Sequence, residues 1–207
     1  MNKRYLLLAG IIIALGVGIL FMPAKDTAKQ PKPELLLAAI DDPSRFLFTD
    51  DITDRLVKKN PALILIDVRP ESQFKAFSIP GAINIPSDSL LSASALEILN
   101  QKEMDKVFYS NADVTSDQAW IICKRLGLQR IYVMQGGVNR WFSTIVKAEK
   151  PAETATTKAL ELYQFRIAAC QHFFGSPEMA AKTETVAAKK TVNVVKKSSG
   201  GKSGGGC

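Results

Sequence analysis

The chain has 207 residues, enough for one α/β domain with appendages and too few for two separate cores of ordinary size. Hydrophobic residues make up 46% and charged residues 23%, which excludes a wholly disordered chain. The formal net charge is +7, but residues 1–33 carry +4, residues 179–207 carry +5, and the middle is left at −2. The folded part is therefore mildly acidic, and no nucleic-acid partner is expected.

In chain order, Tyr5 to Met22 is an uncharged run of 18 residues, YLLLAGIIIALGVGILFM. As a helix it measures about 27 Å and predicts a transmembrane segment within an N-terminal unit, residues 1–22. Phe21, Met22 and Pro23 close the run without a small-x-small cleavage triplet, so an uncleaved anchor is favoured, with secretion after signal cleavage as the alternative. Lys3 and Arg4 precede the run while Lys25, Lys29 and Lys32 follow it, so counting positive charges does not settle the side; the four-residue head favours a domain outside the cytoplasm, on the periplasmic side if the cell is bacterial. The membrane is thus a partner through residues 5–22. Residues 23–33, PAKDTAKQPKP, hold three prolines and three lysines and read as a linker.

Thr49 is placed to cap a helix over 50–59, with Ile52, Leu56 and Val57 on one face and Asn60-Pro61 ending it. ALILID at 62–67, VFY at 107–109 and IYVM at 131–134 are continuous apolar runs of strand length, as expected of strands buried on both faces of a parallel sheet. Between the last two, residues 117–126 predict a helix with Ala119, Ile122, Cys123 and Leu126 inward and Gly127 supplying the terminal turn. The alternation implies a doubly wound α/β domain with a parallel sheet. Chemistry in such sheets sits past the carboxyl ends of the strands. That points to the loop Ser110, Asn111, Ala112, Asp113, Val114, Thr115 and Ser116 as the candidate ligand-binding segment.

Two segments carry a resemblance: IDVRPESQFKAFSIPGAINIP at 66–86 and VMQGGVNRW at 133–141. Together they make residues 45–145 resemble a rhodanese-like domain, including the Asp67-Val68-Arg69 strand end, Ile79 to Pro86, and Gly136-Gly137 followed by Trp141. The resemblance implies sulfur transfer through a cysteine thiolate at the first position of the loop. Ser116, Ala119 and Gly127 stand at the family's offsets of six, nine and seventeen from that position, which makes Ser110 its equivalent and sets Cys123 aside. A thiol with a reference pKa of about 8.5 is readily ionised by loop amides, whereas a serine hydroxyl is not, and it holds no stable persulfide. The only histidine, His172, lies outside any triad pattern. Asp113, Thr115 and Ser78 also depart from the glycine, arginine and histidine that the family often carries there. No catalytic residue is therefore assigned.

Asp67 and Arg69 are expected to form a structural ion pair at the turn. Cys123 is expected in the core. Residues 155–178 read as a helical extension in which Cys170 packs back on the domain. Residues 179–207 read as a disordered Lys/Gly/Ser-rich tail ending in Cys207. No metal and no cofactor are expected. Two functions remain open. One is a membrane-anchored binding or scaffold module without sulfur transfer at the loop, recognising a protein partner or an anion at the membrane surface. The other is a sulfur carrier or thiol exchanger in which Cys207, or Cys170, is the candidate thiol and the domain binds a small sulfur-containing donor.

Overall fold

The computed structural model describes residues 3–20 and 31–175. The chain begins with helix α1 (Lys3–Leu20), on which Tyr5, Leu6, Ile12 and Leu15 are exposed. Among the described residues no helix is long and apolar enough to cross a membrane. Within them α1 opens on Lys3 and Arg4 and is uncharged from Tyr5 to Leu20, about 24 Å of helix. Phe21 and Met22, the linker up to residue 30, the tail 179–207 and Cys207 lie outside the described residues.

The elements that follow are α2 (Pro33–Asp41), β1 (Phe46–Leu47), α3 (Thr49–Val57), β2 (Leu63–Asp67), α4 (Glu71–Ala76), β3 (Ile83–Asn84) and α5 (Ala93–Leu99). After them come β4 (Asp105–Tyr109), α6 (Val114–Arg125), β5 (Ile131–Met134), α7 (Gly137–Trp141), a π-helical turn (Phe142–Val146) and α8 (Thr157–Phe174). The five strands form one sheet in the order β1-β5-β4-β2-β3, every pair parallel.

The apolar strand runs follow from cover on both faces. Leu65, Val107, Tyr109 and Met134 enter a cluster with Ile52 of α3, Trp141 of α7, and Ala169 and Cys170 of α8. The alternate residues Ile66, Phe108, Ile131 and Val133 enter a second cluster with Leu99 of α5 and Ala119, Trp120 and Cys123 of α6, against which Ala39 and Ile40 of α2 pack. Helices thus lie on both faces of a parallel sheet, the doubly wound arrangement that the strand pattern predicts.

Three local expectations are corrected. Thr49 is the first residue of α3 and not its cap; Phe48 stands at the cap without a side-chain bond. The Thr49 hydroxyl, 2% exposed, lies 3.2 Å from the Thr144 hydroxyl instead. On α6, Ile122 and Leu126 are exposed, because Ser116, Ala119, Trp120 and Cys123 form the buried stripe and the bulky Trp120 fixes the helix's rotation by donating from Nε1 to Ile131 O at 2.9 Å. Pro33 opens α2 rather than closing a linker. Gly127 does end α6: with φ +79° it donates to Lys124 O while Leu128 N–H reaches Cys123 O, the paired bonds of a Schellman turn.

Beyond the sheet, α8 is capped by Thr156, whose hydroxyl accepts from Ala159 N–H. It is fastened by Arg166, which donates from Nε and Nη2 to both oxygens of Asp50 on α3 at 2.8 and 2.7 Å. Phe173 and Phe174 close around Trp141, with ring centroids 6.0 and 6.2 Å away.

Candidate functional site

β2 and β4 are neighbours, with Asp67 opposite Tyr109, so the segments leaving their carboxyl ends meet. A cavity of about 280 Å³ opens there, walled by Arg69 and Gln73 on one side, by Ser110, Asn111, Val114 and Thr115 on the other, and by Ser87 at the β3 end. Ala112 also lines it, whereas Asp113 and Ser116 do not. Of the seven loop residues, five therefore face the cavity.

Ser110 is 3% exposed. Its Oγ donates to Ala112 O at 2.5 Å and lies 3.4 Å from Ser116 Oγ, which itself donates to Asp113 O at 2.9 Å. Among the described residues no imidazole or carboxylate is bonded to Ser110. The hydroxyl proton is thus spent on a carbonyl, and no base is in place to remove it. Asp113 accepts from Gly136 N–H through its carboxylate. This turns its charge away from the cavity, which Asp113 does not line.

The loop is also tied to the β5–α7 turn. Val138 N–H donates to Ser110 O at 2.8 Å and Asn139 N–H to Asn111 O at 3.1 Å. The approach is close enough to exclude a side chain at Gly137: a Cβ there would lie 2.4 Å from Ser110 O and 2.8 Å from Ala112 N, and its φ is +58°. The Gly136-Gly137 pair thus shapes the loop from outside.

Asp67 is fully buried and Arg69 is 6% exposed. Arg69 donates from Nε to Asp67 Oδ1 at 2.9 Å and from Nη2 to Oδ2 at 2.6 Å, a bidentate pair. The same guanidinium reaches Phe77 O at 2.7 Å and Asn111 Oδ1 at 3.2 Å. Asn111 in turn donates from Nδ2 to Gln73 Oε1 at 3.0 Å, joining the loop to α4. The pair therefore organises the cavity wall, with most of the Arg69 fork already occupied. Burial, and next the Asp67 carboxylate, hold the Tyr109 phenol protonated well above its usual range.

Cys123 and Cys170 are both buried to 0% exposure. Burial pushes the Cys123 thiol up to about 12 and raises that of Cys170, whose Sγ faces Val146 O at 3.9 Å. Neither thiol is brought to the cavity. Among the described residues no cluster of His, Cys, Asp and Glu has the arrangement of a metal site. Gln73, Ser87 and the Val68-Pro70 turn are cavity residues that the loop pattern did not single out; the signal for them was the segment after Asp67, which carries the strand end and α4.

A parallel α/β domain whose cavity lies between two strand ends and a strand–loop–helix turn is the class defined by this fold and site. Residues 49–144 match the family model of the rhodanese-like domain. An adenylyltransferase and sulfurtransferase of Meyerozyma guilliermondii is 34% identical over 92 residues, which is 42% of this chain and 22% of that protein. An uncharacterized protein of Buchnera aphidicola is 28% identical over 91 residues, covering 43% of this chain and 62% of the relative. The chain spans less than two thirds of either relative's length. Among solved structures, a rhodanese-related protein from Thermoplasma volcanium aligns with a TM-score of 0.41 and 24% identity over 48% of this chain and 91% of its own. The rhodanese-like domain of an Anabaena protein gives 0.44 and 22% over 54% and 88%. Residues 49–144 are a rhodanese-like domain, of a family related to sulfur transfer and sulfur carriage.

Proposed function

We propose that this rhodanese-like domain works as a membrane-anchored binding or scaffold module and does not transfer sulfur at its loop. The observation that carries this reading is Ser110: it is buried, it donates its hydroxyl proton to Ala112 O, and among the described residues no base is bonded to it. A polar cavity remains around it, in which Gln73, Asn111, Thr115 and Ser87 offer donors and acceptors to a partner's side chain. Anchoring is supported by the uncharged run 5–22, which continues past α1 through Phe21 and Met22, and by the exposure of the α1 leucines and isoleucines, which call for an apolar surround. The proposed orientation holds the domain outside the cytoplasm, with Lys3 and Arg4 on the inner side.

A second reading, sulfur carriage, is favoured by the sulfurtransferase named among the relatives. Since Cys170 is buried with a raised pKa, that reading rests on Cys207.

The test is to incubate the full chain with thiosulfate and cyanide, measure thiocyanate, and map sulfur adducts by mass spectrometry. The binding reading expects neither turnover nor adduct. An adduct confined to Cys207 favours carriage, and turnover that survives removal of both Cys170 and Cys207 overturns both readings. A reporter fused after residue 33 that is active only in the cytoplasm refutes the proposed orientation.

A further inference from the structure

At the end of the sheet opposite the loop, a second cavity of about 170 Å³ opens beside the amino ends of β4 and β5. At about 30 Å³ per water-sized group this holds a four-oxygen ion. Lys102, Lys106, Asn100, Gln129 and the Gly127-Leu128 turn line it, and no carboxylate is among its lining residues. The turn is held in shape by two left-handed residues, Gly127 at φ +79° and Arg130 at φ +53°.

Lys106 is the unusual member. It belongs to a central strand and is 1% exposed, yet it is a cation. Its Nζ donates to Gln101 O at 2.7 Å, which among the described residues accounts for one of an ammonium's three donors. The adjacent acid, Asp105, is already shared by Arg55 at 3.1 Å and Arg130 at 2.8 Å. Burial first and repulsion from Arg130 second lower the Lys106 pKa, and attraction to Asp105 opposes them only in part. A buried charge held this way is costly unless a counter-charge meets it. A long stem that merely carried its head to solvent would leave the ammonium exposed, which is not the observed burial.

We infer that this cavity is a binding site for a tetrahedral oxyanion, sulfate or phosphate, with Lys106 as its buried cation and Lys102 at its mouth. It lies apart from the loop cavity and does not depend on what that cavity binds. A site of this kind couples the concentration of a small anion to the stability of β4, the strand that leads directly into Ser110.

The test uses the full chain in mild detergent, titrated with sodium sulfate or sodium phosphate against sodium chloride at matched ionic strength. Calorimetry is expected to show saturable binding, and Tm is expected to rise by about 2–4 °C at saturation. Lys106→Met is expected to weaken binding at least about tenfold, and Lys102→Ala several-fold. An equal response to chloride means an adventitious ion only and overturns the proposal, as does unchanged affinity in Lys106→Met. Should that variant fail to fold, ¹³C-lysine NMR of the unaltered chain decides: a Lys106 ε resonance that moves saturably with sulfate supports the site, and one that stays fixed refutes it.

Discussion

Gly137→Ala is the sharpest probe of how the loop is built. An alanine at φ +58° occupies the left-handed region, at a cost of about 1–2 kcal/mol for an L residue. Its Cβ would also meet Ser110 O at 2.4 Å and both Ala112 N and Ala112 O at 2.8 Å, all backbone atoms that cannot swing aside. Relieving that overlap displaces the loop and stretches the Val138 N–H bond to Ser110 O, adding about 1–3 kcal/mol. The sum is about 2–5 kcal/mol. Gly81 provides the control: its φ is +83°, but its nearest neighbour would be Leu56 Cδ2 at 3.8 Å, so Gly81→Ala carries the conformational cost alone, about 1–2 kcal/mol. Urea unfolding of both variants, followed by tryptophan fluorescence, gives the difference at constant m-value. If Gly137→Ala loses no more stability than Gly81→Ala, the loop is not held by close approach to this turn and the account of its shape fails.

Three further outcomes are expected. Asp67→Ala strands Arg69 in a buried site and should cost about 3–5 kcal/mol, while the double variant with Arg69→Met should recover part of that loss; additive losses in a double-mutant cycle would show that the pair is not coupled. Ser110→Cys places a thiol in the loop and should give measurable thiocyanate production from thiosulfate and cyanide where the unaltered chain gives none, and a silent variant would show that the residue at position 110 does not by itself decide turnover. Burial pushes the folded Cys123 thiol up to about 12 from an ordinary value of 9.0. Between those pH values the unfolded chain has released a proton that the folded chain keeps, so stability falls as pH rises, by up to about 1.4 kcal/mol per pH unit from this group, and is fully present below pH 9. Cys123→Ala should flatten that alkaline slope, and an identical slope would exclude the thiol as its source.

The central strands were legible because their burial on both faces leaves an unbroken apolar run. Leu63–Asp67 and Ile131–Met134 fall within one residue of the runs at 62–67 and 131–134. β4 starts two residues before VFY, where Asp105 and Lys106 hide the strand: one is turned to two arginines and the other is buried as a cation. β1 and β3 have two residues each and carry no periodicity to read. α2 went unread because its Ala39 and Ile40 pack on α6 while Leu35 and Leu37 stay exposed, which blurs its apolar face. In the site, the position of Ser110 could be argued from spacing alone. The commitment of its proton to Ala112 O, and the turning of Asp113 toward Gly136, depend on tertiary contacts that no local pattern encodes.

The bond between Asp50 and Arg166 joins residues 116 positions apart, and Leu47 pairs with Met134 across most of the domain. During synthesis, α3 therefore emerges from the ribosome long before Trp141, Ala169 and Cys170 arrive to cover Ile52. Assembly has to wait for nearly the whole described chain, since non-local contacts reward the chain only once the intervening loop is closed. A nascent chain halted at residue 144, where the family match ends, would display an unsealed apolar face, the kind of surface that chaperones engage.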